Sequence, residues 1–259
     1  MSSVMDAAYI ATHAEEDERH WWFVGRREVI LSVMRQVFTS RDLSSPARPA
    51  ASRPRLAEIG CGSGSLLAPL SEFGHVTGVE ASEEFLRLAR LRGRPVLPGS
   101  LPHDIPIEPG SLDGALLLDV LEHLGDDREA LRAVRRLLKP GGSLLCTVPA
   151  YQFLWSGHDV VLGHRRRYTT HGLRRTLEEA GFRISRLTYF NTLLAVPIMA
   201  ARLVRKLRGT SSHDLIPLPP RLNVLLSRLF ASEALLLKRV SFPFGISVLA
   251  VAHPRAAAR

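Results

Sequence analysis

Along residues 55–190, short apolar runs alternate with stretches whose apolar positions fall at helical spacing. Leu56–Ile59 is a short apolar strand that ends in glycines. Ser65–Phe73 reads as a helix and His75–Glu80 as a second strand. Ser82–Arg92 reads as a helix, with Ser82 as N-cap ahead of Glu83 and Glu84. Pro95–Leu97, Gly114–Asp119, Ser143–Val148, Phe182–Tyr189 and Ile246–Ala252 complete a set of seven strands. Asp126–Leu138 and Thr170–Ala180 are further helices, the first stopped by Pro140-Gly141-Gly142 and the second by Gly181. This alternation predicts an α/β fold, a mostly parallel sheet with helices on both faces. Upstream, residues 6–38 read as helical, polar as far as Arg19 and then apolar at Val29, Ile30, Val33, Met34 and Val37. Residues 39–54, rich in Ser, Pro and Ala, read as a linker. Two segments break the alternation: 150–169, after strand five, and 191–244, which reads as two helices around a Pro-rich kink at 216–220.

With 259 residues, 46% hydrophobic and 23% charged, a disordered chain and a coiled coil are excluded. Two cysteines, Cys61 and Cys146, make no disulfide framework. The first 20 residues are polar and acidic, unlike a signal peptide. No apolar run approaches the ~20 residues of a spanning helix. A cytoplasmic protein is the expectation. Charge changes the picture more. The net charge is +9, yet residues 151–259 hold 17 basic and 5 acidic residues, and residues 1–150 hold 17 and 20. The basic excess lies in the C-terminal part and favours anionic partners: phosphate, acidic lipid or nucleic acid. Drift towards arginine accounts for it equally well, and no basic-aromatic nucleic-acid motif accompanies it. Residues 193–208 suit either an interfacial amphipathic helix or a cap helix with a wet face.

The strongest chemical signal is Leu56-Ala57-Glu58-Ile59-Gly60-Cys61-Gly62-Ser63-Gly64, a strand entering a glycine loop ahead of a helix. Glycines let the backbone turn sharply and approach a ligand, and the helix that follows offers free amides. The second is Glu80 at the end of strand two, where a carboxylate can accept both hydroxyls of an adenosine ribose. The third is Asp119-Val120-Leu121-Glu122-His123 after strand four. The fourth is Leu138-Lys139-Pro140-Gly141-Gly142 before strand five. A glycine loop with an acid also marks dinucleotide folds, but the Gly-x-Gly-x-x-Gly spacing is absent because position 65 is Ser.

Taken in order, these motifs over about residues 55–190 resemble the class I S-adenosylmethionine-dependent methyltransferases. The resemblance implies a Rossmann-like seven-stranded sheet of order 3-2-1-4-5-7-6, with strand seven antiparallel. It implies S-adenosyl-L-methionine as cofactor, with Glu58, Gly60, Cys61, Gly62 and Gly64 around the methionine part and Glu80 on the ribose. Asp119 and Val120 would lie beside the methionine or the reactive methyl. Where many members carry Gly-Asp after strand three, this chain has Gly99-Ser100, so Ser100 or the Leu101 backbone would meet the adenine. The stretches Trp21-Trp22-Phe23-Val24-Gly25-Arg26-Arg27 and Trp155 to Thr169 look like a bacterial subgroup of the type 11/12 methyltransferases. The expected organisation is an N-terminal helical lid and linker (1–54), the cofactor-binding core (55–190), a helical cap insertion (191–245), and a last strand and tail (246–259).

In open α/β sheets ligands bind at the carboxyl ends of the strands. Segments 150–169 and 191–244 are therefore expected to cap a methyl acceptor there, with the N-terminal helices closing over it. Candidate acid–base residues are His158, Asp159, His164 and Tyr168, with His158-Asp159 the leading pair. His123 is expected to pack or cap beside the cofactor. Arg165, Arg166 and Arg167 could bind an acceptor phosphate or carboxylate, or form a solvated turn. Trp22 and Trp155, with Trp21, could form an aromatic lid or simply core. No metal-ligand spacing is visible. The expected activity is methyl transfer to a small-molecule or lipid-linked acceptor, with peripheral membrane contact allowed by the basic C-terminal part. The alternatives are a non-catalytic cofactor-binding partner protein, an NAD(P)-dependent oxidoreductase, and an RNA methyltransferase. The oxidoreductase lacks a Tyr-x-x-x-Lys pair, and RNA methylation lacks an Asn-Pro-Pro-Tyr-like site.

Overall fold

The computed structural model describes residues 7–42, 53–207 and 218–256. Two helices, α1 (Ala7–Glu16) and α2 (Trp21–Asp42), precede a seven-stranded sheet. Its strands are β1 (Arg55–Ile59), β2 (His75–Glu80), β3 (Val96–Pro98), β4 (Leu112–Leu118), β5 (Leu138–Pro149), β6 (Phe182–Phe190) and β7 (Ser247–Pro254). Interleaved are α3 (Leu67–Leu70), α4 (Glu83–Leu91), α5 (Asp127–Leu137), α6 (Gly157–Val161), α7 (Thr170–Glu179), α8 (Ala195–Leu207) and α9 (Pro220–Leu236). The sheet order is β3-β2-β1-β4-β5-β7-β6, parallel except for β7, which pairs antiparallel with both neighbours. This is the Rossmann-like topology expected from the sequence.

Strand alternation explains the two cores. Leu56, Leu116, Leu118, Leu145, Leu249 and Val251 face α2, α3, α4 and α9. Ala57, Ala115, Leu117, Leu144, Cys146, Val148 and Ala250 face α5 and α7. Successive side chains of a strand point to opposite faces, so a sheet covered on both sides reads as a continuous apolar run. The caps form as the sequence suggests. Ser82 accepts from the Phe85 amide (3.5 Å), Asp126 from the Glu129 amide (2.8 Å) and Thr169 from the Gly172 amide (3.1 Å).

Several boundaries differ from the sequence reading. The N-terminal helical stretch is broken at residues 17–20, where Asp17 and His20 are buried. α2 continues to Asp42, past the expected linker start, and residues 43–52 of that linker lie outside the described residues. The helix expected over 65–73 is a single turn flanked by tight turns. The Pro140-Gly141-Gly142 stop is absorbed into β5, which begins at Leu138 with a register shift against β4.

The largest difference concerns segment 191–244. α9 lies along a sheet face beside α2, not over the strand ends, because Phe230, Ala234 and Leu237 belong to the core that α2 shares. A Cβ on Gly25 would come within 2.3 Å of the Phe230 ring, so the bare backbone there sets the helix separation. Only the start of α9 reaches the cofactor edge: Asn223 accepts from the Trp21 amide and donates to the Arg19 carbonyl, each at 2.8 Å. α8 does meet segment 150–169, since Ala195 and Ile198 pack with Leu154. Of the Pro-rich kink at 216–220, residues 216 and 217 lie outside the described residues, while Pro219 and Pro220 form the start of α9.

Candidate functional site

The loop after β1 turns through three glycines of positive φ, Gly60 (+78°), Gly62 (+54°) and Gly64 (+76°), a region that side chains rarely adopt. A Cβ on Gly60 would lie 2.6 Å from Val120 Cγ2, whereas one on Gly62 would meet nothing within 4 Å. Gly60 is thus needed for packing, and Gly62 borders open space where a ligand can approach. Glu80 fixes the loop. One carboxylate oxygen accepts from the Gly62 amide (2.8 Å), and the other from Ala81 (2.9 Å) and Ser82 (2.8 Å).

Beside this loop lies a buried charge cluster. Arg26, one turn into α2, pairs with Asp119 at 2.6 Å and stacks over Trp22 at 5.2 Å. Asp119 sits at φ +59° and also accepts from Thr147 Oγ1 (3.2 Å). Burial pushes the Glu58 carboxyl up to about 8, with Glu80 adding to the rise and Arg26 opposing it. Its Oε2 is buried without a hydrogen-bond partner. Burial also lifts Glu122 well above the carboxylate range, Asp119 adding to the rise. Asp17, at the break between α1 and α2, bonds Ser63 of the glycine loop and pairs with Arg92.

These features fit S-adenosylmethionine. Both Glu80 oxygens are fixed by backbone amides, Gly62 borders open space, and the unpartnered Glu58 oxygen suits a donor such as an ammonium. Residues 57–146 match the family model of a methyltransferase domain. Residues 57–146 thus carry a methyltransferase domain, set on a sheet of the order found in S-adenosylmethionine-dependent methyltransferases. The ubiquinone biosynthesis O-methyltransferase of Xanthomonas campestris pv. campestris is 30% identical over 134 residues, 48% of this chain and 54% of that protein. An uncharacterized 37.1 kDa protein in transposon TN4556 of Streptomyces fradiae is 36% identical over 133 residues, 48% of this chain and 37% of that protein. The chain thus spans about half, or less, of the length of these curated relatives. Among solved structures, the complex between the Haloferax volcanii Trm112 methyltransferase activator and a proposed methyltransferase matches with a TM-score of 0.60 at 19% identity, covering 99% of this chain and 100% of that one. Haemonchus contortus phosphoethanolamine N-methyltransferase 2 with bound S-adenosyl-L-methionine matches with a TM-score of 0.52 at 17% identity, covering 88% and 57%. At such identities these structures show the fold alone.

Around the segments after β4 and β5 the structure rearranges the candidates. The pair that forms is His164–Asp159, Nδ1 to Oδ1 at 2.8 Å, not His158-Asp159. Asp159 is fully buried and also accepts from Arg167 (2.8 and 3.0 Å) and the Ser156 amide (2.8 Å). These donors hold its carboxyl below the usual range against the cost of burial, so it fixes the His164 imidazole and is itself poorly suited to take a proton. Tyr168 is no base either: its buried hydroxyl donates to Asp127 at 2.8 Å, and burial with that carboxylate pushes its pKa up.

Arg166 and Arg167 are engaged by the protein, which argues against the anion-site reading for those two, whereas Arg165 is exposed. Arg165 donates to the His123 carbonyl (3.1 Å). Arg166 donates to Leu124 and Gly125 carbonyls and pairs with Asp127 at 3.0 Å. Arg167 is buried on Asp159 and the Ala150 carbonyl. The aromatic lid is corrected as well. Trp21 packs on Phe230 and Trp22 on Phe23 and Arg26, both against the shared α2–α9 core, while Trp155 is half-buried in the segment before α6. Ser100 and Leu101 follow β3, with the Ser100 backbone bridged to Asp104. Cys61 is buried under the loop, and burial raises its thiol pKa, with Glu58 and Glu80 adding to the rise.

Glu122, His123 and His164 bring one donor atom each to within 4.8 Å of one another, a set that could hold a divalent cation. The two imidazoles meet edge to face at 4.7 Å. Burial lowers His123 to about 4, with His164 adding to the fall, so His123 is neutral at pH 7. Sequence spacing hid this group because His164 comes from another segment. Arg26, Asp17 and Ser63 were also missed as site residues; only the basic pair after Trp-Trp-Phe hinted at Arg26.

Glu58 makes stability pH-dependent. Its folded pKa lies above its ordinary 4.5, so the folded state binds the extra proton. Its contribution is complete below about pH 4.5 and is lost as pH rises to about 8. Denaturation of ligand-free protein should show stability falling by a few kcal/mol across that window. Glu58→Gln should flatten the fall, and an unchanged slope in this variant would refute the assignment.

Proposed function

We propose that the protein transfers a methyl group from S-adenosylmethionine to an oxygen of a small-molecule or lipid-linked acceptor. The observation that carries this reading is the pairing of the glycine loop with Glu80, whose carboxylate is fixed by three backbone amides at the loop edge. The O-methyltransferase relatives favour oxygen, within the partial overlap stated above. When bound, the cofactor supplies an electrophilic methyl on a sulfonium, displaced in line so that the electron pair of the broken bond stays on sulfur. The chain's residues bind and align. Glu80 would hold the ribose hydroxyls, Gly60 and Gly62 admit the methionine part, and Glu58 accepts its ammonium. Asp119, clamped by Arg26 and Thr147, would line the methyl side. An acceptor hydroxyl must lose a proton. His164 is the group best arranged to take it: its Nδ1–H donates to Asp159, which fixes the tautomer and leaves Nε2 as acceptor.

Labelled methyl transfer tests this reading. Catechols, phenols and their polyprenyl-linked forms are incubated with methyl-labelled cofactor and the full chain. Label should appear in an acceptor with wild type and fall about 100-fold in His164→Ala, the size expected for loss of a general base. Cofactor binding without transfer to any oxygen acceptor, and with transfer to amines, would overturn the oxygen assignment.

A further inference from the structure

Of the 17 large hydrophobic residues exposed among the described residues, 12 fall in segment 191–244. The same segment holds eight Lys or Arg and two acids, Asp214 and Glu233. Glu233 is fully buried, its Oε1 accepting from the Thr192 and Leu193 amides at 2.7 Å. Asp214 lies outside the described residues. Among the described residues of this segment no carboxylate therefore faces solvent.

α9 shows how the exposed groups are arranged. Ser227, Phe230, Glu233 and Ala234 turn inward. Leu222, Leu225, Leu229 and Leu236 are exposed and share one flank of the outward side at helical spacing. Arg221 and Arg228 are exposed on the adjoining strip, with Val224 and Leu235 beyond them. The helix is buried on one side by α2 and presents leucine rows interleaved with arginines on the other. α8 adds exposed Val196, Leu203 and Val204.

We propose that the outward face of α9, with the exposed residues of α8, docks on the surface of an anionic phospholipid bilayer. Exposed apolar groups on this scale mark an interaction surface. Arginine stems can lie along acyl chains while the guanidinium reaches lipid phosphate. Leucine rows bordered by basic side chains without acids match a helix lying in the interface. No described helix is long and apolar enough to cross a membrane, so the contact is one of lying on the surface. A second copy of the chain fits less well, since a two-fold contact through this face would set arginine rows against each other. Asn223 ties the start of α9 to Trp21, one turn before Arg26 and its partner Asp119. Docking would therefore set the end of α9 nearest the cofactor edge against the bilayer surface. That supplies a lipid-linked acceptor and rests on the function proposed above for its purpose, though not for the binding.

The test is flotation of the full chain with vesicles of phosphatidylcholine alone and with added phosphatidylglycerol. Binding should require phosphatidylglycerol and weaken as salt is raised. It should fall at least about tenfold in Arg221→Glu/Arg228→Glu, given the usual worth of a basic residue near an anionic surface. Leu225→Ser/Leu229→Ser should also lose at least about tenfold, from lost apolar burial. Calorimetric titration with S-adenosylmethionine on the same samples should be unchanged in both variants, which shows that they are folded. Absence of vesicle binding, binding equal with and without phosphatidylglycerol, or sedimentation as a dimer that the leucine variant dissociates would each overturn the proposal. Vesicle binding without label transfer would leave docking standing and fail the methyl-transfer reading.

Discussion

Glu80→Ala should lose S-adenosylmethionine binding by about 100-fold or more, since hydrogen bonds to a charged group contribute about 1.5–3 kcal/mol each. The wild-type carboxylate is preorganised. Gly62, Ala81 and Ser82 amides hold both oxygens, leaving further lone pairs for the two ribose hydroxyls. The alanine variant removes those acceptors and frees the Gly62 amide, so the loop loses a fixed corner as well. A ligand-induced rise in melting temperature is expected for wild type and should vanish in the variant. Glu80→Gln should fall between the two, because an amide accepts through one oxygen only. Retention of full binding by Glu80→Ala would place the ribose elsewhere.

The second large effect is expected at Arg26. Its side chain is 10% exposed and pairs with Asp119, and its charge also opposes the raised pKa of Glu58 and Glu122. Removing one partner of a buried pair leaves an uncompensated charge, at a cost of about 3–5 kcal/mol. Arg26→Ala should lose stability by about that amount in denaturant titrations near neutral pH. A variant within about 0.5 kcal/mol of wild type, the range of an ordinary surface substitution, would show that the cluster is neutralised by other means.

Much of the architecture was legible because most strands are short apolar or alternating runs bounded by glycine, proline or a cap. Ser82, Thr169 and the glycine loop signalled their roles through local chemistry, and local chemistry is what spacing reports. Glu80 was legible for the same reason, as an acid closing a strand. The face that α9 occupies was not, because which surface an amphipathic helix covers depends on its neighbour. Gly25, the residue that admits Phe230, gives no periodic signal. The acceptor side failed for a related reason. His158 and Asp159 are adjacent in the chain, yet adjacent helical residues point apart, and Asp159 instead turns to His164 and Arg167 across the loop. Arg165, Arg166 and Arg167 looked like an anion site because a run of charges carries no record of its partners. Their partners are the Asp159 and Asp127 carboxylates and the carbonyls of Ala150 and of the turn after β4. The acceptor itself is read from the relatives and the exposed chemistry, not from a motif.

Calorimetric titration of the full chain with S-adenosylmethionine and, separately, with NADH tests the central claim most directly. The account predicts saturable one-to-one binding of S-adenosylmethionine and none of NADH. Binding of NADH, or no binding of S-adenosylmethionine by folded protein, would contradict it.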